Sequence, residues 1–172
     1  MSTIINKIAQ SGLITIDLEE WLPKEKKVLL DIKVWLEEGF ILREKNFKEA
    51  LKNHNWEQYK DHYVALYCSS EAILPTWAYW LISIYLNPYA KKTLKGSLET
   101  LTYFLYKKAI EEKDFSIFKE KRILITGCHK KKLDDSLYFL LIKKLLPLAR
   151  SILYGEACSN IVLYKKKPSA HS

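Results

Sequence analysis

Short β-branched and leucine-rich runs alternate along this chain with longer apolar stretches of helical period. Residues 14–18 and 28–32 read as strands flanking a Trp21-Leu22-Pro23 turn, and residues 40–42 read as a third. Asn46 followed by Glu49 has the spacing of a capping box, predicting a short helix over Phe47, Ala50 and Leu51. From Tyr63 the alternation is regular. A buried strand over residues 63–67 ends at Cys68, and a helix opening at Pro75 carries Trp77, Trp80, Leu81 and Ile84 as far as Pro88. Residues 91–95 form a strand ending at Gly96, and Ser97 caps a helix with Leu98, Leu101 and Leu105 on one face. A strand over residues 122–126 ends at Gly127-Cys128. The apolar helix at 137–146 is expected to be buried, and strands follow at 150–154 and 161–164.

This order is the βαβ signature. It predicts an α/β fold: three layers, a largely parallel sheet built from repeated βαβ units, and N-terminal strands added antiparallel. One domain is expected over residues 1–164, with a flexible basic tail at 165–172. A weak internal repeat runs through the pattern. Leu86, Pro88, Ala90, Lys91, Leu94 and Gly96 match Leu145, Pro147, Ala149, Arg150, Leu153 and Gly155 at identical spacing. Either a strand–Cys–helix–Pro–strand–Gly unit is duplicated, or any helix-to-strand joint simply favours Pro and then Gly.

Charge changes the picture only near the end. Residues 1–60 carry ten basic and ten acidic side chains, residues 61–118 six of each, and residues 119–172 twelve basic and four acidic. The net charge of +8 therefore lies in the last third, mainly at Lys130–Lys132 and Lys165–Lys167. Without a nucleic-acid motif, these runs are expected to be a solubilising loop and a frayed tail, and nucleic acid is not an expected partner. The 14 residues 73–86 form the longest apolar stretch, against about 20 needed to span a bilayer, so no membrane association is expected. No signal-peptide pattern opens the chain, and three cysteines are an odd number without framework spacing. A cytoplasmic protein with reduced thiols is expected.

In a parallel sheet all strand carboxyl ends share one edge, where open α/β folds bind ligands. Cys68 and Cys128 directly follow strands, and Cys158 follows another by a few residues. Three thiolates converging there suit Zn²⁺ with a fourth position open, or an iron–sulfur cluster with one non-cysteine ligand, for which His129 and His62 are the candidates. Lysines beside Cys128 favour its thiolate. The competing reading is three small apolar thiols. Trp77, Tyr79, Trp80, Tyr138 and Phe139 are expected in the core, and His54 and His171 in solvent. The acid pairs Glu19-Glu20, Glu37-Glu38 and Asp134-Asp135 are read as surface or helix-start charges. There is no Gly-rich phosphate loop and no nucleophile elbow.

The segments Ser11-Gly12-Leu13-Ile14-Thr15-Ile16-Asp17-Leu18, Val64-Ala65-Leu66-Tyr67-Cys68-Ser69, Ile73-Leu74-Pro75-Thr76-Trp77-Ala78-Tyr79 and Tyr154-Gly155-Glu156-Ala157-Cys158-Ser159 resemble domain-of-unknown-function family 2480. The resemblance covers residues 4–167 and implies an origin in Bacteroidetes. The family has no assigned activity. The resemblance further implies a role close to iron–sulfur cluster assembly, with a protein of that machinery as partner. Gly127-Cys128 follows the family pattern, whereas His129 and the three lysines after it depart from it. The functional expectation is a cytoplasmic accessory protein binding a metal ion or iron–sulfur cluster through Cys68, Cys128 and Cys158. One alternative is a thiol-based redox or sulfur-carrier enzyme, with Cys128 as the foremost nucleophile. Another is an interaction module with a basic C-terminal surface and no chemistry.

Overall fold

The computed structural model describes residues 12–127 and 133–167. Seven strands and four α-helices alternate: β1 (Leu13–Ile16), β2 (Lys27–Asp31), α1 (Glu44–Asn53), β3 (Tyr63–Tyr67), α2 (Thr76–Leu86), β4 (Lys92–Lys95), α3 (Leu98–Glu112), β5 (Arg122–Ile125), α4 (Asp135–Leu145), β6 (Ser151–Gly155) and β7 (Asn160–Lys165). The α/β class is as the alternation predicts. The strands form two sheets, however, not one: β1-β5-β6-β7 and β2-β3-β4. The chain correspondingly divides into two compact units. One runs from residue 23 to 104, and the other combines the segment up to Leu22 with the chain from Leu105 onward.

The expected antiparallel N-terminal strands are parallel instead. β1 pairs with β5, and β2 with β3, in parallel register from Leu13↔Arg122 and Lys27↔Tyr63. Each pair is joined through helices, which gives the chain room to return to the same end of the sheet. Among the described strands, β6 and β7 pair antiparallel. Their connection, residues 156–159, is too short for a crossover, so the chain must reverse. The turn closes with Glu156 N–H donating to the Ser159 carbonyl and Ser159 N–H to that of Glu156. It relies on Gly155, whose φ of 125° suits glycine and whose missing Cβ would lie 2.7 Å from the Ser159 carbonyl oxygen.

The repeat is real in three dimensions. Shifting β3, α2 and β4 by 59 residues (63 to 122, 76 to 135, 92 to 151) lands on β5, α4 and β6. Asp61 and Glu120 both adopt positive φ, 60° and 56°. Their N–H groups donate to the carbonyls of Tyr89 and Leu148, at 3.0 and 2.9 Å. Core positions follow the same shift: Phe47 and Tyr106, Leu51 and Ile110, Tyr59 and Phe118, Leu86 and Leu145 are all buried. A second echo, at 14 residues, relates the leading strands. Asp17 directly follows β1 and caps a 3-10 turn reaching Trp21, as Asp31 ends β2 and caps one reaching Trp35. Trp21 then meets Phe115 edge-on at 6.2 Å, and Trp35 meets Trp56 at 5.6 Å. The copies are nested: β1 belongs with the second body and β2 with the first.

Several local expectations change. Residues 40–42 form no strand. Glu38 and Gly39, at φ 52° and 78°, turn the chain into a single antiparallel bridge between Glu37 and Ile41. No capping box opens α1, because the Asn46 amide donates to Glu37 instead. Ser97 does cap α3, its hydroxyl accepting from Thr100 N–H at 3.2 Å. Trp80 and Phe139 leave the predicted core, 64% and 75% exposed, although Tyr79 is buried. The helix at 137–146 accordingly buries one stripe, Leu137, Leu141 and Leu145, not its whole circumference. His54, expected in solvent, is half-buried against Trp35, Trp56 and Tyr59. Within the predicted tail, Lys165 closes β7 and Lys166 pairs with Glu120. Residues Lys130–Lys132 and His171 lie outside the described residues.

Candidate functional site

The carboxyl edge of the β2-β3-β4 sheet gathers a cluster of polar side chains. β3 is the central strand, so the residues after it are flanked by the ends of β2 and β4. Asp31, at the end of β2, accepts at Oδ1 from Lys33 N–H at 3.0 Å and from Ser69 N–H at 3.1 Å. The first bond caps the 3-10 turn; the second ties the loop after β3 to the end of β2. Partial burial pushes the Asp31 carboxyl up, but bonds from the Ser69 side chain, the Lys33 and Ser69 N–H groups and the Tyr67 hydroxyl outweigh it. The net result holds Asp31 below the usual carboxylate range.

Cys68 follows β3 directly and is half-buried, with its Sγ 3.2 Å from Ser70 Oγ. Two tyrosines flank it. Burial first, then the Asp31 charge, the hydrogen bond to Asp31 and the Cys68 charge push Tyr67 up. Burial first, then the Cys68 and Asp31 charges push Tyr79 up as well. Lys95, at the end of β4, sets its ammonium 4.2 Å from the centre of the Tyr79 ring. A thiol, a carboxylate, two phenols, two serine hydroxyls and an ammonium thus meet at one sheet edge, the carboxyl edge at which open α/β folds commonly bind ligands.

Of the three cysteines predicted at a single edge, the two among the described residues follow strands of different sheets. Cys68 belongs to the β2-β3-β4 edge. Cys158 is exposed in the β6–β7 hairpin, at the carboxyl end of β6. Cys128 and His129 come just after β5 but lie outside the described residues. His62 cannot join Cys68. It precedes β3 while Cys68 follows it, and at about 3.3 Å per residue the strand separates them by nearly 20 Å. Its Nδ1 is buried without a hydrogen-bond partner among the described residues. No group of three or more His, Cys, Asp or Glu placed to hold a metal occurs among the described residues.

The 59-residue shift places Gly127 at the position of Cys68 and Tyr154 at that of Lys95. At the second edge the Tyr154 hydroxyl occupies the space a side chain at Gly127 would need, 3.0 Å from where its Cβ would be. Asp17 there accepts from Glu19 N–H at 2.8 Å, as Asp31 does from Lys33. Sequence reasoning missed Asp31, Tyr79 and Lys95 as neighbours of Cys68. The signal for the first was present: Asp17-Leu18-Glu19-Glu20-Trp21 recurs as Asp31-Ile32-Lys33-Val34-Trp35.

These features define an α/β protein with two related parallel-strand units, one of which carries a thiol-bearing polar edge. The chain belongs to the family described as "Protein of unknown function (DUF2480)", which matches residues 2–166. No curated protein and no solved structure matches it. Among the described residues, no helix is long and apolar enough to cross a membrane.

Proposed function

We propose that the protein carries sulfane sulfur on Cys68, as a cytoplasmic thiol-based accessory protein. The observation that carries this reading is the placement of Cys68: on the central strand's carboxyl end, accessible, and hydrogen-bonded to Ser70 at 3.2 Å. The Ser70 hydroxyl gives the sulfur a polar partner at the open end of the strand, and either atom can be the donor. In the proposed step, the Cys68 thiolate attacks the outer sulfur of a donor persulfide, R–S–SH. The sulfur–sulfur bond of the donor breaks, R–S⁻ leaves and takes up the proton released by Cys68, and Cys68 becomes Cys68–S–SH. Sulfur is transferred with no net oxidation. Lys95 and Tyr79 line the edge where the donor would approach.

The test is intact-mass analysis after incubation with a small-molecule persulfide donor. One added sulfur per chain, lost in Cys68→Ser and retained in Cys158→Ser, is the expected result. Sulfur on Cys158 alone, or none, would overturn the reading. A second reading keeps Cys68, Cys128 and Cys158 as ligands of Zn²⁺ or an iron–sulfur cluster, with an assembly protein as partner. It is favoured by the occurrence of every cysteine just after a strand. Elemental analysis and a visible spectrum of anaerobically purified protein separate the two. Stoichiometric metal lost in each Cys→Ser variant supports the second, and metal-free protein that takes up sulfur on Cys68 supports the first.

A further inference from the structure

Helix α2 is built unlike a surface helix. Its 11 residues, Thr76–Leu86, contain no charged side chain. One face, with Ala78, Ile82 and Leu86, is buried against its own sheet. The opposite row, Thr76, Trp80 and Ile84 at four-residue spacing, is exposed, with Trp80 and Ile84 at 64% and 66%. A helix apolar on all sides is normally a covered helix. The equivalent helix α4 carries Asp135, Lys143 and Lys144 and so has the polar face that α2 lacks. Beside the exposed row runs an open groove of about 480 Å³ between α1 and α2, lined by Lys48, Glu49, Lys52, Asn53, Leu81 and Tyr85.

We propose that this face is the contact surface of a homodimer, in which α2 of one copy packs across α2 of a second. Three observations select a second copy as the occupant. A row at four-residue spacing interdigitates with an identical row when two helices cross at about −50°, so the surface is self-complementary. The chain carries a net charge of +8, which makes most approaches between copies repulsive, and α2 offers an approach free of charge. The rim of the groove holds both signs, so two copies meeting about a two-fold axis can set Glu49 of one against Lys52 of the other, while Lys48 pairs with Glu44 at 2.6 Å within its own chain.

The area is also appropriate. A buried aromatic contributes about 150–250 Å², and Trp80 with Ile84 and the fully exposed Ile73 in the preceding loop supply roughly half of the ~800 Å² per partner typical of a stable interface. The groove and its polar rim supply the remainder, giving the apolar centre and charged border of a specific interface.

Sedimentation equilibrium of the full chain at neutral pH and moderate salt, over about 1–300 µM, tests the proposal. A reversible monomer–dimer equilibrium with Kd in the micromolar range is expected. Trp80→Lys and Ile84→Glu should each weaken it at least tenfold while leaving the circular dichroism spectrum unchanged. Phe139→Lys, at the equivalent position of α4, should leave the dimer intact. Glu49→Lys and Lys52→Glu should each weaken self-association, and their mixture should restore dimers through the complementary pair. A monomer throughout the range would overturn the proposal and leave the face to a different partner. A dimer unaffected by both Trp80→Lys and Ile84→Glu would overturn it equally.

Discussion

Replacing Asp31 with alanine tests how the candidate edge is held together. The carboxylate accepts two backbone N–H groups, one from Lys33 inside its own 3-10 turn and one from Ser69 across 38 residues of chain. Losing a side-chain cap costs about 0.5–2 kcal/mol. The Ser69 bond is charge-assisted and worth up to about 1.5–3 kcal/mol, but it is solvent-exposed, so water replaces part of it. The expected loss is therefore about 1.5–3 kcal/mol in urea melts of the whole chain. Asp31→Asn keeps a neutral acceptor and should lose about half as much. The pH dependence has a definite sign. Asp31's folded-state pKa lies below its ordinary value of 3.8, so its contribution is fully present above that pH. It is lost as pH falls through the folded-state value, because the unfolded chain takes up the proton first. The wild-type advantage over Asp31→Asn should therefore hold at neutral pH and disappear under strong acid. A loss under about 0.5 kcal/mol for Asp31→Ala, or an advantage over Asn that grows on acidification, would refute this account.

Trp77→Ala should cost about 2–4 kcal/mol, since the ring packs on the core and meets Phe47 edge-on at 6.0 Å. Trp80→Ala in dilute solution should cost under about 1 kcal/mol, and equal losses in denaturant melts would contradict the assigned helix face. Burial holds His54 below its ordinary 6.5, so the fold favours the neutral ring. Stability should be complete above that pH and fall as pH drops toward the folded-state value; His54→Gln should flatten this slope in melts from pH 7.5 to 5. Gly155→Ala combines a φ of 125° with a contact of 2.7 Å to backbone, and should lower stability by about 2 kcal/mol or more in thermal melts.

The elements were legible because strand and helix periods are local. Tyr63–Tyr67 and Arg122–Ile125 lie where β-branched and apolar runs placed them. Sheet membership was not legible. The partner of Leu13 is Arg122, and nothing within β1 distinguishes that pairing from one with β3. Two sheets therefore replaced one, and Cys68 and Cys158 follow strands of different sheets. Trp80 and Phe139 misled for a related reason: apolarity reports that a residue gains from burial, not that its own chain supplies the cover. His54 was missed because its aromatic surroundings come from Trp35, Trp56 and Tyr59, which converge only on folding. Half of the candidate edge was readable. Cys68 stood out at a strand end, whereas Lys95 and Tyr79 reach it through tertiary placement alone.

The nesting of one unit inside the other bears on how the chain reaches its native state. β2, β3 and β4 lie within residues 27–95, so all three strands are synthesised before β5. β1 must wait for a strand that begins 109 residues after its own first residue (13 to 122). During that interval the edge of β3 meets two candidate strands with the same trailing Asp–x–x–x–Trp pattern, β1 and β2. Proximity along the chain favours β2, because closing the shorter loop costs less entropy. The echo of 14 residues that links the two units is thus also a built-in competitor for the edge of β3, and the shorter loop weighs on the side of the native pairing.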